Sequence, residues 1–157
     1  MRIYLSAPLF TEAQRRWNRA LARRIEHRIQ HAEVILPQDF KIGSSYNNPR
    51  DFPHIFNACI DRLRESDAVV AVCDGPDVDS GTALELGVAY ELGIPIVGIR
   101  TDYRESQDRG VNLMITGVCT EFLRLMSFGE DTDLLVKDLC TKLVAALKKT
   151  PERTGRA

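Results

Sequence analysis

The stretch "SDAVVAVCDGPDVDSGTALELG", residues 66–87, decides the fold because it joins a buried-strand pattern to a helix start. Its run "AVVAV" at 68–72 is apolar and largely β-branched, as is typical of a strand covered on both faces of a parallel sheet. Glycines and aspartates then end the strand, and a helix is predicted over about 81–92. The stretch therefore predicts a strand that leads directly into a helix.

The same alternation extends to both ends of the chain. Strands are predicted at 2–6, at 33–37, at 94–100 and within 118–125, and helices at 11–30, 53–66 and 132–149. This order predicts one α/β domain, residues 1–150, with a parallel sheet of about five strands and a flexible tail at 151–157. Ligands of such sheets bind beyond the carboxyl ends of the strands. The loop 38–52, rich in glycine, serine, asparagine and proline, is expected to form a lid over that site.

Composition excludes several classes of protein. The 157 residues are 44% hydrophobic and carry a formal charge of -1, which argues against a disordered chain and against nucleic acid as a partner. The apolar runs are too short to span a membrane, and we expect a cytoplasmic protein. The four cysteines have no disulfide or metal-ligand spacing. His27 and His31 form an isolated pair, and we expect no metal.

The acidic turn after the third strand has two interpretations. Thr82 and Glu85 match a capping box, in which the Glu85 carboxylate would bind a backbone amide at the helix start. Alternatively, Asp79 and Glu85 face a pocket for a neutral polar molecule, one as nucleophile and the other exchanging protons, as in glycosidic bond cleavage. Gly81 leaves room for a ligand near the backbone, while Asp74, Asp77 and Asp79 would repel a phosphate.

Three segments together resemble the nucleoside 2-deoxyribosyltransferase family. They are "RIYLSAPLF" at 2–10, "SDAVVAVCDGPDVDSGTALELGVAYELGIPIV" at 66–97 and "GVNLM" at 110–114. The resemblance implies a flavodoxin-like three-layer sandwich with a five-stranded parallel sheet. It also implies an enzyme that needs no cofactor and moves 2-deoxyribose from one nucleobase to another by double displacement.

The resemblance further assigns site residues. Glu85 matches the nucleophile that forms a covalent deoxyribosyl-enzyme, Asp79 the aspartate that contacts the base, and Tyr4 the tyrosine that orients the nucleophile. Substrate contacts are implied for Ser6, Pro8, Phe10, Cys59, Gly81, Asn112 and Met114. Asn112 and Met114 match residues that complete a neighbouring subunit's pocket, which implies a homo-oligomer, a dimer or a hexamer. Cys59 stands where the family usually has an aspartate, and Asp61 lies about 200° further around a helix.

The resemblance leaves two alternatives to a transferase. A sister group of N-glycosidases cleaves 2′-deoxynucleoside 5′-monophosphates with water as the acceptor, and Asp79 is unfavourable for it because a carboxylate would repel the phosphate. A non-catalytic nucleoside-binding module, with turnover lost through the change at Cys59, is the third possibility.

Overall fold

The computed structural model describes residues 1–41, 48–105, 107–125 and 132–149. The described elements are β1 (Arg2–Ser6), α1 (Glu12–Arg28), β2 (Glu33–Ile35), α2 (Phe52–Arg64), β3 (Ala68–Val72), α3 (Ser80–Glu91), β4 (Ile96–Arg100), α4 (Leu113–Val118), β5 (Glu121–Arg124) and α5 (Thr132–Lys149). Short 3₁₀ turns lie at Pro37–Asp39, Pro49–Asp51 and Gln107–Gly110.

All strand pairs in the sheet are parallel, in the order β2-β1-β3-β4-β5. The predicted five-stranded parallel sheet and flavodoxin-like architecture are therefore confirmed. The chain moves outward in one direction from β1 to β2 and in the other from β3 onward, so the order reverses between β1 and β3. In open α/β sheets, the crevice at the carboxyl ends of such a pair of strands is the usual ligand site.

Helices cover both faces of the sheet. α1 and α5 pack on one face, against residues that include Ile3 and Leu5 of β1. α2, α3 and α4 cover the other face, where Tyr4 joins the core. Because side chains alternate along a strand, Ser6 points to the same face as Tyr4. β1 thus presents two hydroxyl groups towards α3.

Some predicted boundaries differ from the observed ones. β2 is shorter than the predicted strand, and the structure adds a short helix, α4, that was not predicted. In the predicted lid, residues 42–47 lie outside the described residues, as does the tail 151–157. None of the helices in the described part of the chain has both the length and the apolar character needed to cross a membrane.

Candidate active site

Two buried hydroxyl groups on β1 hold the carboxylate of Glu85. The Tyr4 hydroxyl donates to Glu85 Oε1 at 2.7 Å, and the Ser6 hydroxyl donates to Glu85 Oε2. Both Tyr4 and Ser6 are fully buried, so water does not compete for these bonds. Each carboxylate oxygen keeps further lone pairs after accepting one hydrogen bond. Glu85 is therefore fixed in orientation and still able to react.

The start of α3 excludes the capping-box interpretation of the acidic turn. Asp79 is the N-cap, and its Oδ2 accepts a hydrogen bond from the Thr82 amide at 3.1 Å. Thr82 therefore occupies the third helical position, and Glu85 lies beyond the first turn. The predicted capping box between Thr82 and Glu85 does not form, because Asp79 already binds the amide and Glu85 reaches across to β1.

The surroundings of Glu85 shift its acid-base balance. Burial raises the pKa of Glu85, and the nearby charge of Asp79 raises it further, while the hydrogen bonds from Ser6 and Tyr4 oppose the shift. Burial also raises the pKa of Tyr4, with the Glu85 charge adding to the effect, so the phenol stays protonated and can only donate to the carboxylate. Strongly perturbed groups in direct contact are typical of functional sites.

Cys59 lies beside this pair. Its thiol, on α2, is half-buried and interacts electrostatically with Tyr4 and Glu85. Burial raises the pKa of Cys59, so the group is a neutral thiol at physiological pH. Asp61 is exposed, and its Oδ1 lies 3.8 Å from Arg64 Nη1. This position agrees with the expectation that Asp61 cannot take the place of Cys59 in the pocket.

The structure ties the loop after β3 to the loop after β4, a feature that sequence reasoning missed. The carboxylate of Asp74 accepts hydrogen bonds from the Thr101 amide and hydroxyl, both at 2.6 Å, and from the Asp102 amide at 3.0 Å. The buried Arg100 guanidinium donates to the carbonyl oxygens of Cys73 and Gly75. These bonds position the segment that leads to Asp79. Asp74 at the end of a buried strand is the sequence signal for such a contact.

The other predicted site residues lie around the same edge of the sheet. Pro8 and Phe10 are in the loop that follows β1, and Phe10 is 72% exposed. Gly81 is exposed, and a side chain there would meet Asp79 Oδ2 at 3.1 Å. Asn112 caps α4 by accepting from the Met114 amide at 2.9 Å, and Met114 is 68% exposed. None of the described hydrogen bonds links Asn112 or Met114 to Glu85.

Two surface grooves lie away from the Tyr4, Ser6 and Glu85 side chains. One of about 420 Å³ runs along α1 and is lined mainly by arginines, and one of about 550 Å³ lies between α1 and α5 beside Cys140. Neither is lined by Tyr4, Ser6 or Glu85. Within the described ranges, no group of three or more histidine, cysteine, aspartate or glutamate residues is placed to hold a metal. The hydrogen-bonded carboxylate, rather than cavity size, marks the site.

Comparison with protein families decides the identity of this arrangement. The family model described as nucleoside 2-deoxyribosyltransferase matches residues 3–114, which include every residue of the Tyr4, Ser6, Cys59, Asp79 and Glu85 cluster. The chain belongs to the nucleoside 2-deoxyribosyltransferase family. It is therefore a member of a family of enzymes that handle the glycosyl part of nucleosides. No curated protein matches it by sequence.

Solved structures share the deoxyribosyltransferase fold. A conserved protein from Enterococcus faecalis V583 is 27% identical, with a TM-score of 0.74 over 91% of this chain and 99% of that one. A 2-deoxyribosyltransferase from Bacillus psychrosaccharolyticus is 22% identical, with a TM-score of 0.68 over 94% and 96% of the two chains. A CMP N-glycosidase from Clostridium botulinum is 19% identical, with a TM-score of 0.56 over 88% and 98%. The fold thus occurs both in a 2-deoxyribosyltransferase and in an N-glycosidase.

Proposed function

We propose that the protein is a nucleoside 2-deoxyribosyltransferase. It cleaves the N-glycosidic bond of 2′-deoxyribonucleosides through a covalent intermediate on Glu85 and passes the sugar to an acceptor nucleobase. The observation that carries this proposal is the half-buried Glu85 carboxylate, with one oxygen bound by Tyr4 and the other by Ser6. A carboxylate fixed in a dry, preorganised site is suited to attack a carbon that gains positive charge.

In the first half-reaction, a Glu85 oxygen bonds to C1′ as the bond between C1′ and the base nitrogen breaks. The electron pair of that bond leaves with the base, which takes up one proton. Positive charge develops on the sugar in the transition state, and the ionised carboxylate stabilises it. Tyr4 and Ser6 stay protonated throughout, and they hold the carboxylate in the geometry for attack.

In the second half-reaction, a nitrogen of the acceptor base attacks C1′ and the bond to Glu85 breaks. The acceptor base loses one proton, so the proton count over the full cycle balances. We assign both transfers to Asp79, which caps the helix that carries Glu85 and acts on Glu85 electrostatically. The Asp79 amide contact occupies Oδ2, which leaves Oδ1 for the base.

The Asp79 carboxylate also supports nucleosides rather than nucleoside monophosphates as substrates. Two unit charges about 4 Å apart repel by on the order of 4 kcal/mol at an effective dielectric constant of 20. A substrate phosphate close to Asp79 would bear this penalty. The variant Asp79→Ser should therefore reduce the preference for deoxyadenosine over its 5′-monophosphate, and an unchanged preference would remove the argument.

One set of assays tests the reaction. The protein is incubated with deoxyinosine plus adenine, with deoxyadenosine alone, and with deoxyadenosine monophosphate, and free bases and new nucleosides are followed by chromatography. Base exchange supports the transferase, and base release without exchange supports the N-glycosidase instead. Absence of turnover across a broad panel would support a nucleoside-binding module.

The nucleophile is tested separately. Glu85→Ala should abolish turnover while the protein stays folded, and Glu91→Ala, an exposed change on the same helix, should not. A nucleoside fluorinated at C2′ slows release of the intermediate, so mass spectrometry of a trapped sample should place the sugar on Glu85. Turnover without any adduct at Glu85 would contradict the assignment.

We also propose that the active unit is a homo-oligomer in which Asn112 and Met114 complete a neighbour's site. The support is a set of large apolar side chains exposed on α2, α3 and α4, the helices that cover one face of the sheet: Phe52, Phe56, Leu84, Tyr90, Leu113 and Met114. Large apolar patches on a soluble protein typically mark interfaces. If sites are shared, mixing inactive Glu85→Ala subunits with inactive Asn112→Ala subunits should restore part of the activity, because one mixed site keeps both residues. No restoration after verified subunit exchange would argue for self-contained sites.

A further inference from the structure

Arg100, the last residue of β4, carries its charged side chain into the interior at the carboxyl end of the sheet. It is only 3% exposed, and it lies on the same side of β4 as Ile96, which belongs to the core under α2, α3 and α4. A buried charge destabilises a fold unless it is paired and hydrogen-bonded. The contacts of the guanidinium therefore show what the charge does there.

The guanidinium binds two loops at once. Its Nη1 donates to the carbonyl oxygens of Cys73, at 2.7 Å, and Gly75, at 3.0 Å, in the loop after β3. Its Nη2 donates to the carbonyl oxygen of Arg104, at 2.9 Å, in the loop after β4, and lies 3.9 Å from the carboxylate of Asp102. A planar group with several donors can hold both loops in one fixed geometry.

The segment before α4 packs against the same guanidinium. Gly110 has a φ of 90°, and a Cβ there would lie 3.1 Å from both Nε and Nη2 of Arg100 and 2.8 Å from the Arg104 carbonyl oxygen. Asp108 and Arg109 have φ values of 56° and 61°. Such backbone conformations cost non-glycine residues free energy and persist only where the surroundings hold them. The guanidinium is part of those surroundings.

We propose that Arg100 is a positioning residue for both loops of the site, acting through Asp79 and Asn112. It fixes the loop that ends at the Asp79 cap and the segment that ends at the Asn112 cap in one arrangement. By the function proposed above, Asp79 handles the proton of the base and Asn112 completes a neighbour's site. One guanidinium thus links a subunit's own site to the site beside it. Its effect on turnover rests on that function, whereas its effect on the two loops does not.

Amide hydrogen exchange measures the effect on the loops without turnover. Arg100→Met keeps a long side chain but removes every donor, so peptides that cover 74–82 and 107–114 should exchange at least about tenfold faster, while α1 is unchanged. Arg100→Lys should lie between the two, because a single ammonium lacks the fork that spans both loops. Arg2→Met is the matched control, since it removes a paired arginine from the first residue of β1, at the other end of the sheet.

A second pair of variants leaves Arg100 in place. Gly110→Ala pushes a Cβ against the guanidinium, whereas Gly93→Ala places the same residue at a φ of 64° with nothing within 4 Å. Gly110→Ala should accelerate exchange in 74–82 as well as in 107–114, because the disturbance passes through the guanidinium. Gly93→Ala should leave both peptides unchanged. This pair decides the inference even if Arg100→Met does not fold.

Turnover shows whether Arg100 acts through Asp79. In the assay with deoxyinosine and adenine, Arg100→Met should lower kcat/KM by about tenfold or more. The same change made in Asp79→Ser should cause a loss that is at least about threefold smaller, because the carboxylate that it positions is already gone. A merely structural role would give equal losses in the two backgrounds.

The outcomes separate this inference from the proposed function. If the unmodified protein shows no turnover with any nucleoside, the proposed function fails, and hydrogen exchange still decides the role of Arg100. Exchange in 74–82 that stays unchanged in Gly110→Ala, or that rises equally along the whole chain, would overturn the inference. So would equal losses with and without the Asp79 carboxylate where turnover is measurable.

Discussion

Removing the Tyr4 hydroxyl is the most direct test of how the fold prepares Glu85. In Tyr4→Phe the ring still fills the core, and only the bond to Glu85 Oε1, 2.7 Å long, is lost. A hydrogen bond to a charged group contributes about 1.5 to 3 kcal/mol, and each 1.4 kcal/mol corresponds to about a tenfold change in rate. Ser6 continues to hold the other oxygen. We therefore expect kcat to fall by about ten- to a hundredfold, not to zero.

The pH dependence identifies the cause of that fall. The hydrogen bond from Tyr4 lowers the pKa of Glu85 and so opposes the effect of burial. Without it, the pKa of Glu85 rises, and a smaller fraction of Glu85 is ionised at a given pH. The acidic limb of the kcat profile should therefore move to higher pH in Tyr4→Phe, and the loss of activity should be greatest in acid.

Steady-state kinetics between about pH 4 and pH 8 measure both effects. Tyr90→Phe is the control, because it removes a hydroxyl from a tyrosine that is 61% exposed on α3. Circular dichroism and thermal melting establish that both variants are folded. A Tyr4→Phe enzyme with the rate and the acidic limb of the unmodified protein would refute the reasoning, since the Tyr4 bond would then neither hold Glu85 nor favour its ionised form.

Three further predictions concern stability. Glu85→Gln should stabilise the fold relative to the unmodified protein, and by more at neutral than at acidic pH. Because the pKa of Glu85 is raised in the folded state, the unmodified protein has stability below the unfolded pKa that it loses as pH rises through the folded pKa, and the glutamine variant has no such loss. Melting curves of both proteins at both pH values check the sign. Gly98→Ala should cost about 1 to 3 kcal/mol in chemical denaturation, because the new Cβ would lie 2.5 Å from the Phe122 ring, whereas Gly87→Ala, with nothing within 4 Å, should not destabilise the fold. Asp74→Ala should also cost about 1 to 3 kcal/mol through its three lost hydrogen bonds, while Asp77→Ala, at an exposed position in the same loop, should change stability by less than about 0.5 kcal/mol.

The sheet was predictable from sequence because its central strands are buried on both faces. β3 and β4 consist entirely of buried residues, and such strands leave long apolar runs in the sequence. α4 left no such signal. It has six residues, includes β-branched residues and Gly117, and none of its residues is buried, so neither helix propensity nor an apolar face marks it.

The site was only partly predictable, because its contacts join distant parts of the chain. Tyr4 and Ser6 meet Glu85 across about 80 positions of sequence, separations of 81 and 79 residues. The resemblance to the deoxyribosyltransferase family gives Glu85 and Tyr4 their predicted roles and assigns Ser6 to substrate contacts. It does not predict the hydrogen bond that the structure shows from the Ser6 hydroxyl to the Glu85 carboxylate. The spacing of Tyr4 and Ser6, two residues apart on one strand, was the available signal that both face the same helix.

Four carboxylates lie close together in sequence after β3: Asp74, Asp77, Asp79 and Glu85. Some of them have a structural role and one has a proposed chemical role. Asp74 is bound by three donors from the next loop, and Asp79 lies at the positive end of the α3 dipole while it caps the helix. Asp77 is exposed to solvent. Each of these charges has its own compensation, so their proximity in sequence does not make the turn unstable. Glu85 is half-buried and accepts hydrogen bonds from two hydroxyl groups, and burial raises its pKa. The electrostatic cost is therefore greatest at Glu85, the residue to which we assign the reaction, which is why a change at Glu85 should stabilise the fold and a change at Asp74 should weaken it.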